Sequence, residues 1–593
     1  MPRSRSRRDC LRIGGVALWA SLAGCVGQPR NEGTPTDDTA DTPPEDTRKP
    51  PTGGTEAPGA PVDDWQFDPT DATGTAGPTR TAFATSTPAG AAPGSIGLAA
   101  GGAKGVDNYR NNIEEGYLPI PTDLTYEGLF YDYYFDTGGS GSCDSLFCPD
   151  YSIAMSEDPL GGTTERYLTV GLDSGLSKAD FERKTLNLVV VLDISGSMSS
   201  SFSEYYYDRF GNKKEVEGDP DRPKIDVATE SIAALTTHLR PDDRFGVVLF
   251  NDSSHLAKPM RTVGDTDMDA IRDHLRELVA DGGTNVAAGI QEATEMLDPY
   301  SDADPTTHET RMITLTDAMP NIGERSAGGL RERLRENADR GIYSTFVGVG
   351  VDFNTELIDA ITAIEGSNYY SVHSESDFEE RLDAGFEYMV TPLVFDLSLE
   401  LDTAGYDIER VYGSTAAEEA TGEILHVNTL FPSPSKGGKA KGGIVLAKLV
   451  RNDGTRSLSL SATWETRAGA RKATTAEIQF PDREPDYFAN TGIRKGVLLT
   501  RYADLMKNWM IYERSYGDGS GDPPPEGAGI DVAPPEDELG QWERQSTDLV
   551  VSPRYRERFA SFADHFAAEL EAIGDETLQQ ELEILETLAN YDG

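Results

Sequence analysis

Asp193-Ile-Ser195-Gly-Ser197 sets three oxygen-bearing side chains at alternate positions of one short stretch. No His or Lys stands beside it, so Ser195 lacks the base that a nucleophilic hydroxyl needs. Carboxylate and hydroxyl oxygens are hard donors, and they suit Mg²⁺, Mn²⁺ or Ca²⁺. Two further segments carry donors of the same kind: Asp281-Gly-Gly-Thr284-Asn285 and Leu315-Thr-Asp317-Ala-Met-Pro320-Asn321. The candidate metal ligands are Asp193, Ser195, Ser197, Thr284 and Asp317.

These residues need elements that bring them together. The apolar run Leu186–Leu192 reads as a buried strand leading into the first motif. Phe245–Phe250, Met312–Leu315 and Tyr343–Val349 read as further strands. Helical spacing of apolar residues falls between them, over Ile225–Leu239, Met268–Val279, Val286–Leu297 and Gly329–Ala338. Thr355–Ile364 and Asp377–Tyr388 extend the helical pattern. Alternating strands and helices predict an α/β unit with a doubly wound, mostly parallel sheet. The loops after its strand ends meet at the switch-point crevice, where Asp193, Ser195, Ser197 and Asp317 fall. Thr284 lies on a glycine-freed turn able to bend toward them. A Tyr-rich, charged insertion, roughly Ser199–Asp221, is expected to overhang the site.

The set resembles the von Willebrand factor type A (VWA) domain and its metal-ion-dependent adhesion site, whose pattern is Asp-x-Ser-x-Ser, then Thr, then Asp. The resemblance implies that Ser195, Ser197 and in some states Thr284 touch the ion. Asp193 and Asp317 act directly or through water. It implies a divalent cation, Mg²⁺ first and Ca²⁺ or Mn²⁺ as alternatives, with an open position for an acidic group of a partner. Tyr109-Arg110, Gly116-Tyr-Leu-Pro119 and the aromatic run Phe130–Phe135, read as a strand, resemble the N-terminal part of VWA-containing lipoproteins of bacteria and archaea. Lys495–Arg501 and Arg556–Phe566 resemble their C-terminal helical part more loosely.

The start of the chain reads as an export signal. Ser6-Arg7-Arg8-Asp9-Cys10-Leu11-Arg12 resembles a twin-arginine motif, and the apolar run Ile13–Ala23 is too short to span a bilayer. Leu22-Ala23-Gly24-Cys25 resembles a lipobox, which makes Cys25 the expected lipidation site. These readings place the chain on the outer face of the cytoplasmic membrane, held by the lipid alone. Residues 26–105 are rich in Thr, Pro, Gly and Asp and are expected to form a disordered stalk, with order beginning near Val106. Cys143 and Cys148 remain as a small-loop disulfide pair, because no second Cys pair or His cluster completes a zinc site.

From Pro392 the period changes. Phe395–Leu401, Ile444–Val450, Ser457–Trp464 and Ala473–Phe480 alternate and predict a β-sandwich. Helical patterns return at Asp486–Tyr512 and Pro553–Leu588. The expected divisions are a signal at 1–25, the stalk, a flanking segment at 106–184, the VWA unit at 185–390, the sandwich at 391–483 and helices at 484–593. The strands near Arg166–Leu172 are expected to pair with those from Phe395 onward, so that the VWA unit is inserted in the sandwich.

With 101 acidic against 53 basic residues the net charge is −48, spread over the chain. That balance suits a halophile's solvated surface and excludes nucleic acid, which needs a basic patch. There is no His-Glu-x-x-His, Gly-x-Ser-x-Gly or P-loop, and the seven His residues are dispersed. The sequence therefore points away from an enzyme and toward a cell-surface, cation-dependent adhesion protein. The alternatives are a structural envelope protein with a VWA scaffold and a hydrolase of unrecognised site.

Overall fold

The computed structural model describes residues 61–68, 95–114, 116–139, 145–177, 181–200, 205–207, 213–215, 222–317, 327–349, 364–372, 379–401, 405–414, 424–451, 457–481, 486–516 and 547–592. The signal, Cys25, Cys143, most of the 199–221 insertion and the helix expected at Thr355–Ile364 (all but its last residue) lie outside them. Within the insertion, Tyr205–Tyr207 pairs antiparallel with Lys213–Glu215.

The expected α/β unit is built from β1 (Thr185–Asp193), α1 (Lys224–Leu235), β2 (Arg244–Phe250), β3 (Ser254–Thr262), α2 (Met268–Arg276), α3 (Val286–Leu297), β4 (His308–Thr316), α4 (Ala327–Asp339), β5 (Ile342–Val349) and β6 (Asn368–Val372). The sheet order is β3-β2-β1-β4-β5-β6, with Ala103–Lys104 added beyond β6. All pairings are parallel except that of β3 with β2. β1 is apolar from Leu188 to Leu192 because a parallel strand is covered on both faces, and its buried Asn187 is satisfied by donating to Thr310 Oγ1 at 3.1 Å. Leu188, Val190 and Leu192 enter one core and Val189 and Val191 the other. The strand order reverses between β1 and β4, and the crevice opens at their carboxyl ends.

A second sheet of ten antiparallel strands joins the flanks. Thr164–Ser177, before the α/β unit, pairs with Ile444–Arg451 after it. Ser95–Ala100 lies between Thr164–Ser177 and Ile424–Ser433. The unit is thus inserted in this sheet, as expected. Strands from the two sides of the strand order feed one core: Ile408 and Val411 from one edge share it with Leu458 and Leu460 near the other. Tyr406 also stacks on Phe480 with ring centroids 5.1 Å apart, so the sheet folds over in sandwich fashion.

Several boundaries differ from the sequence reading. Order does not begin near Val106, since Ser95–Ala100 is an inner strand with Leu98 fully buried. Small residues there hid it, and neighbouring strands supply the apolar cover. Residues 61–68, placed in the stalk, are docked on the α/β unit. The aromatic run is a helix, Tyr126–Tyr131, followed by a two-residue strand, Tyr134–Phe135. Thr125 starts that helix by accepting the Gly128 N–H at 3.1 Å. Asp377–Tyr388 is described from Glu379 as a π-helical turn and then Phe386–Met389. The pattern from Asp486 starts as the strand Tyr487–Phe488, and its helix runs Thr491–Tyr516. Pro553–Leu588 is two helices, broken where Gly574 takes φ 67°. These helices share one core with Tyr109, Leu129 and Phe130.

Candidate metal centre

β1 delivers Asp193 fully buried at its last position. The chain then turns into a short 3₁₀ segment, Gly196–Ser199, pinned by the buried Met198. Asp193 Oδ1 accepts the Ser195 N–H at 2.8 Å, which fixes the turn. Its Oδ2 accepts the Thr316 hydroxyl at 2.6 Å from the neighbouring strand β4. Ser195 Oγ and Ser197 Oγ lie 3.1 Å apart, and Ser197 Oγ donates to Asp317 Oδ1 at 2.7 Å. Asp193, Ser195, Ser197 and Asp317, which are 124 positions apart in the chain at their extremes, are therefore one contiguous oxygen cluster.

The Thr284 turn is stitched to the same loop. The Gly196 N–H donates to Gly282 O at 2.9 Å, and the Asp281 N–H to Ile194 O at 2.8 Å. Gly282 adopts φ 86°, a left-handed conformation that strains any residue with a Cβ, and an added Cβ would lie 2.7 Å from Asp252 Oδ2. Asn285 caps α3 by accepting the Ala288 N–H at 3.2 Å, and its own N–H reaches Asn251 O at 2.7 Å. Thr284 is held between these anchors, 3% exposed.

Burial, and next the nearby Asp317 charge, push the Asp193 carboxyl up to about 7. Two partners escaped the sequence reading. Lys224, the first residue of α1, donates to Asp317 Oδ2 at 2.9 Å while almost fully buried. Thr316 precedes Asp317 and serves Asp193. Its signal was its place next to a candidate ligand, whereas Lys224 lies beyond the insertion and carried none.

Residues 61–68 lie against the β3–α2 side of the unit. The Val62 N–H donates to Asp265 O at 3.0 Å and the Gln66 N–H to Ala257 O at 2.8 Å. Asp64 sits 3.4 Å from the fully buried Lys258 and 2.7 Å from Arg261. Trp65 stacks on His274, and Phe67 meets His255 edge-on. His255 Nε2 in turn lies 3.2 Å from Asn251 Oδ1, and Asn251 Nδ2 donates to Asp281 O at 3.2 Å. Phe67 is thus linked to the Thr284 turn through two intervening residues, His255 and Asn251. Elsewhere, Cys148 is disulfide-bonded.

The order of the strands and the oxygen cluster at their switch point define a Rossmann-like unit with a hard-donor crevice. Residues 188–319 match the family model of the von Willebrand factor type A domain, and the chain carries such a domain. Similar curated proteins include the mouse (Mus musculus) inter alpha-trypsin inhibitor heavy chain 4, 24% identical over 239 residues, covering 40% of this chain and 22% of that one. The human (Homo sapiens) inter-alpha-trypsin inhibitor heavy chain H1 is 24% identical over 220 residues, covering 36% and 21%. The chain thus spans about a fifth of the length of these relatives. Among solved structures, a von Willebrand factor type A protein from Catenulispora acidiphila is similar over 65% of this chain and 84% of its own, with TM-score 0.39 and 14% identity. Proximal thread matrix protein 1 from the mussel byssus, with a zinc-occupied MIDAS motif, is similar over 35% and 46%, with TM-score 0.27 and 15% identity.

Proposed function

We propose that the protein is a cell-surface, divalent-cation-dependent binding protein whose VWA domain holds an acidic group of a partner through the ion. The observation that carries this reading is the chain of oxygens Ser195 Oγ, Ser197 Oγ and Asp317 Oδ1, spaced 3.1 and 2.7 Å. These hydroxyl and carboxylate oxygens are hard donors held within hydrogen-bond distance of one another, close enough to converge on one ion. The donor set suits Mg²⁺, with Mn²⁺ and Ca²⁺ as alternatives. Ser195, Ser197 and Thr284 supply neutral oxygens, and Asp193 and Asp317 supply the charge. Few carboxylates touch the ion, so it retains charge for an incoming carboxylate.

The surrounding chain is read as delivery to a surface. Cys25 carries the lipid and the Thr/Pro-rich region spaces the folded part from the membrane. The disulfide expected between Cys143 and Cys148 suits an oxidising exterior. The inter-alpha-trypsin inhibitor heavy chains match only the domain-sized stretch, so their partners are not transferred. The chain acts as a binder and not as an enzyme.

Calorimetric titration with Mg²⁺, Mn²⁺ and Ca²⁺, followed by pull-down from envelope extract with each ion or EDTA, tests the proposal. Binding of Mg²⁺ that is lost in Asp193→Ala, with partner recovery abolished by EDTA, supports it. Partner recovery indifferent to EDTA would overturn it in favour of a scaffold.

A further inference from the structure

Lys224 places a full positive charge inside the oxygen cluster. It is 1% exposed, and its ammonium donates to Asp317 Oδ2 at 2.9 Å. Its backbone is fixed as well, because its N–H donates to Ser200 O at 2.9 Å, just past the Ser197 loop. The other oxygen of Asp317 receives Ser197 Oγ, and both oxygens of Asp193 are taken by Ser195 and Thr316. The fully ionised cluster of two carboxylates and one ammonium carries one net negative charge. A divalent ion turns this into one net positive charge, and it must share Asp317 with a cation already in place. Like-charge repulsion in a buried site is strong, because little water screens it.

We propose that Lys224 is an affinity-setting residue of the cation site: its ammonium on Asp317 holds the divalent ion more weakly than the oxygen donors alone would, and so leaves positive charge for an acidic partner. The inference rests on the cation-site reading above. Lys224 positions and charges Asp317 and is not itself a ligand. A neutral residue at 224 strengthens binding of the bare ion. Arginine, which keeps the charge, leaves that binding close to the wild-type value.

The test is Mn²⁺ binding to the full chain, read by electron paramagnetic resonance of free Mn²⁺, with circular dichroism as the fold check. Lys224→Gln keeps a donor for Asp317 without the charge, and Lys224→Met removes both. Each is expected to bind Mn²⁺ about tenfold more tightly than wild type or more. Each also gains a larger Mn²⁺-induced rise in melting temperature, while Lys224→Arg stays near wild type. A folded Lys224→Gln protein that binds Mn²⁺ no more tightly than wild type overturns the proposal, provided wild type binds and Asp193→Ala does not. If no form binds Mn²⁺, the cation-site reading fails and this inference falls with it. Should Lys224→Met fail to fold without metal, Lys224→Gln decides the question.

Discussion

Thr316 donates its hydroxyl to Asp193 Oδ2 at 2.6 Å, across the parallel pair of strands at the switch point. The bond locks the end of β1 to the end of β4, one residue before Asp317. Thr316→Val keeps the shape and removes the donor, leaving a buried carboxylate oxygen unsatisfied. A loss of about 1–3 kcal/mol is expected in denaturant melts of the metal-free protein above neutral pH. The loss shrinks at low pH, where Asp193 is protonated.

The raised Asp193 carboxyl, at about 7 against an ordinary 3.8, makes the metal-free fold pH-sensitive. The folded state keeps its proton after the unfolded chain has lost it. This contribution to stability is therefore fully present below about pH 4 and is lost as pH rises through about 7. A divalent ion needs the ionised form, so its binding releases a proton near neutral pH. Calorimetry of Mg²⁺ binding in buffers of different ionisation heat should show proton release below about pH 7 and little above pH 8. Absence of any buffer dependence near pH 6 would contradict this.

Gly282 takes φ 86°, where any side chain is strained, and an added Cβ would press on the Asp252 carboxylate. Gly282→Ala forces the turn carrying Thr284 to move or strain, at about 1–3 kcal/mol. Cation affinity is expected to fall about tenfold while the unit remains folded. Titration with Mn²⁺ and a melting curve separate the two effects.

Asp64 gives the buried Lys258 its carboxylate partner at 3.4 Å, and burial already pulls the Lys258 ammonium down from its ordinary value. Removing one member of a buried pair leaves the other charge uncompensated. Asp64→Ala is expected to cost about 3 kcal/mol and to expose residues 61–68 to proteolysis. Asp63→Ala, whose partner His274 lies at the surface, should cost far less.

Much of this was legible in the sequence. Buried parallel strands are mostly apolar, so Leu186–Leu192 could be read directly despite Asn187, and the glycine-freed bend before Thr284 was visible in Gly-Gly-Thr. Ser95–Ala100 was not legible, because small residues form an inner strand only when neighbours cover them. Trp65 and Phe67 were passed over because two aromatics in a polar stretch give no periodic signal; their partners, His274 and His255, lie about 200 positions away.

By itself the sequence determined the kinds of donor, their local spacing and their position past strand ends, because these follow from side-chain chemistry and short-range backbone geometry. Only the tertiary structure decided that Lys224 shares Asp317 with the serine hydroxyls and that Thr316 serves Asp193. Strand order and helix placement set which distant side chains meet, and that order arises from burying two apolar faces at once, which no local stretch encodes.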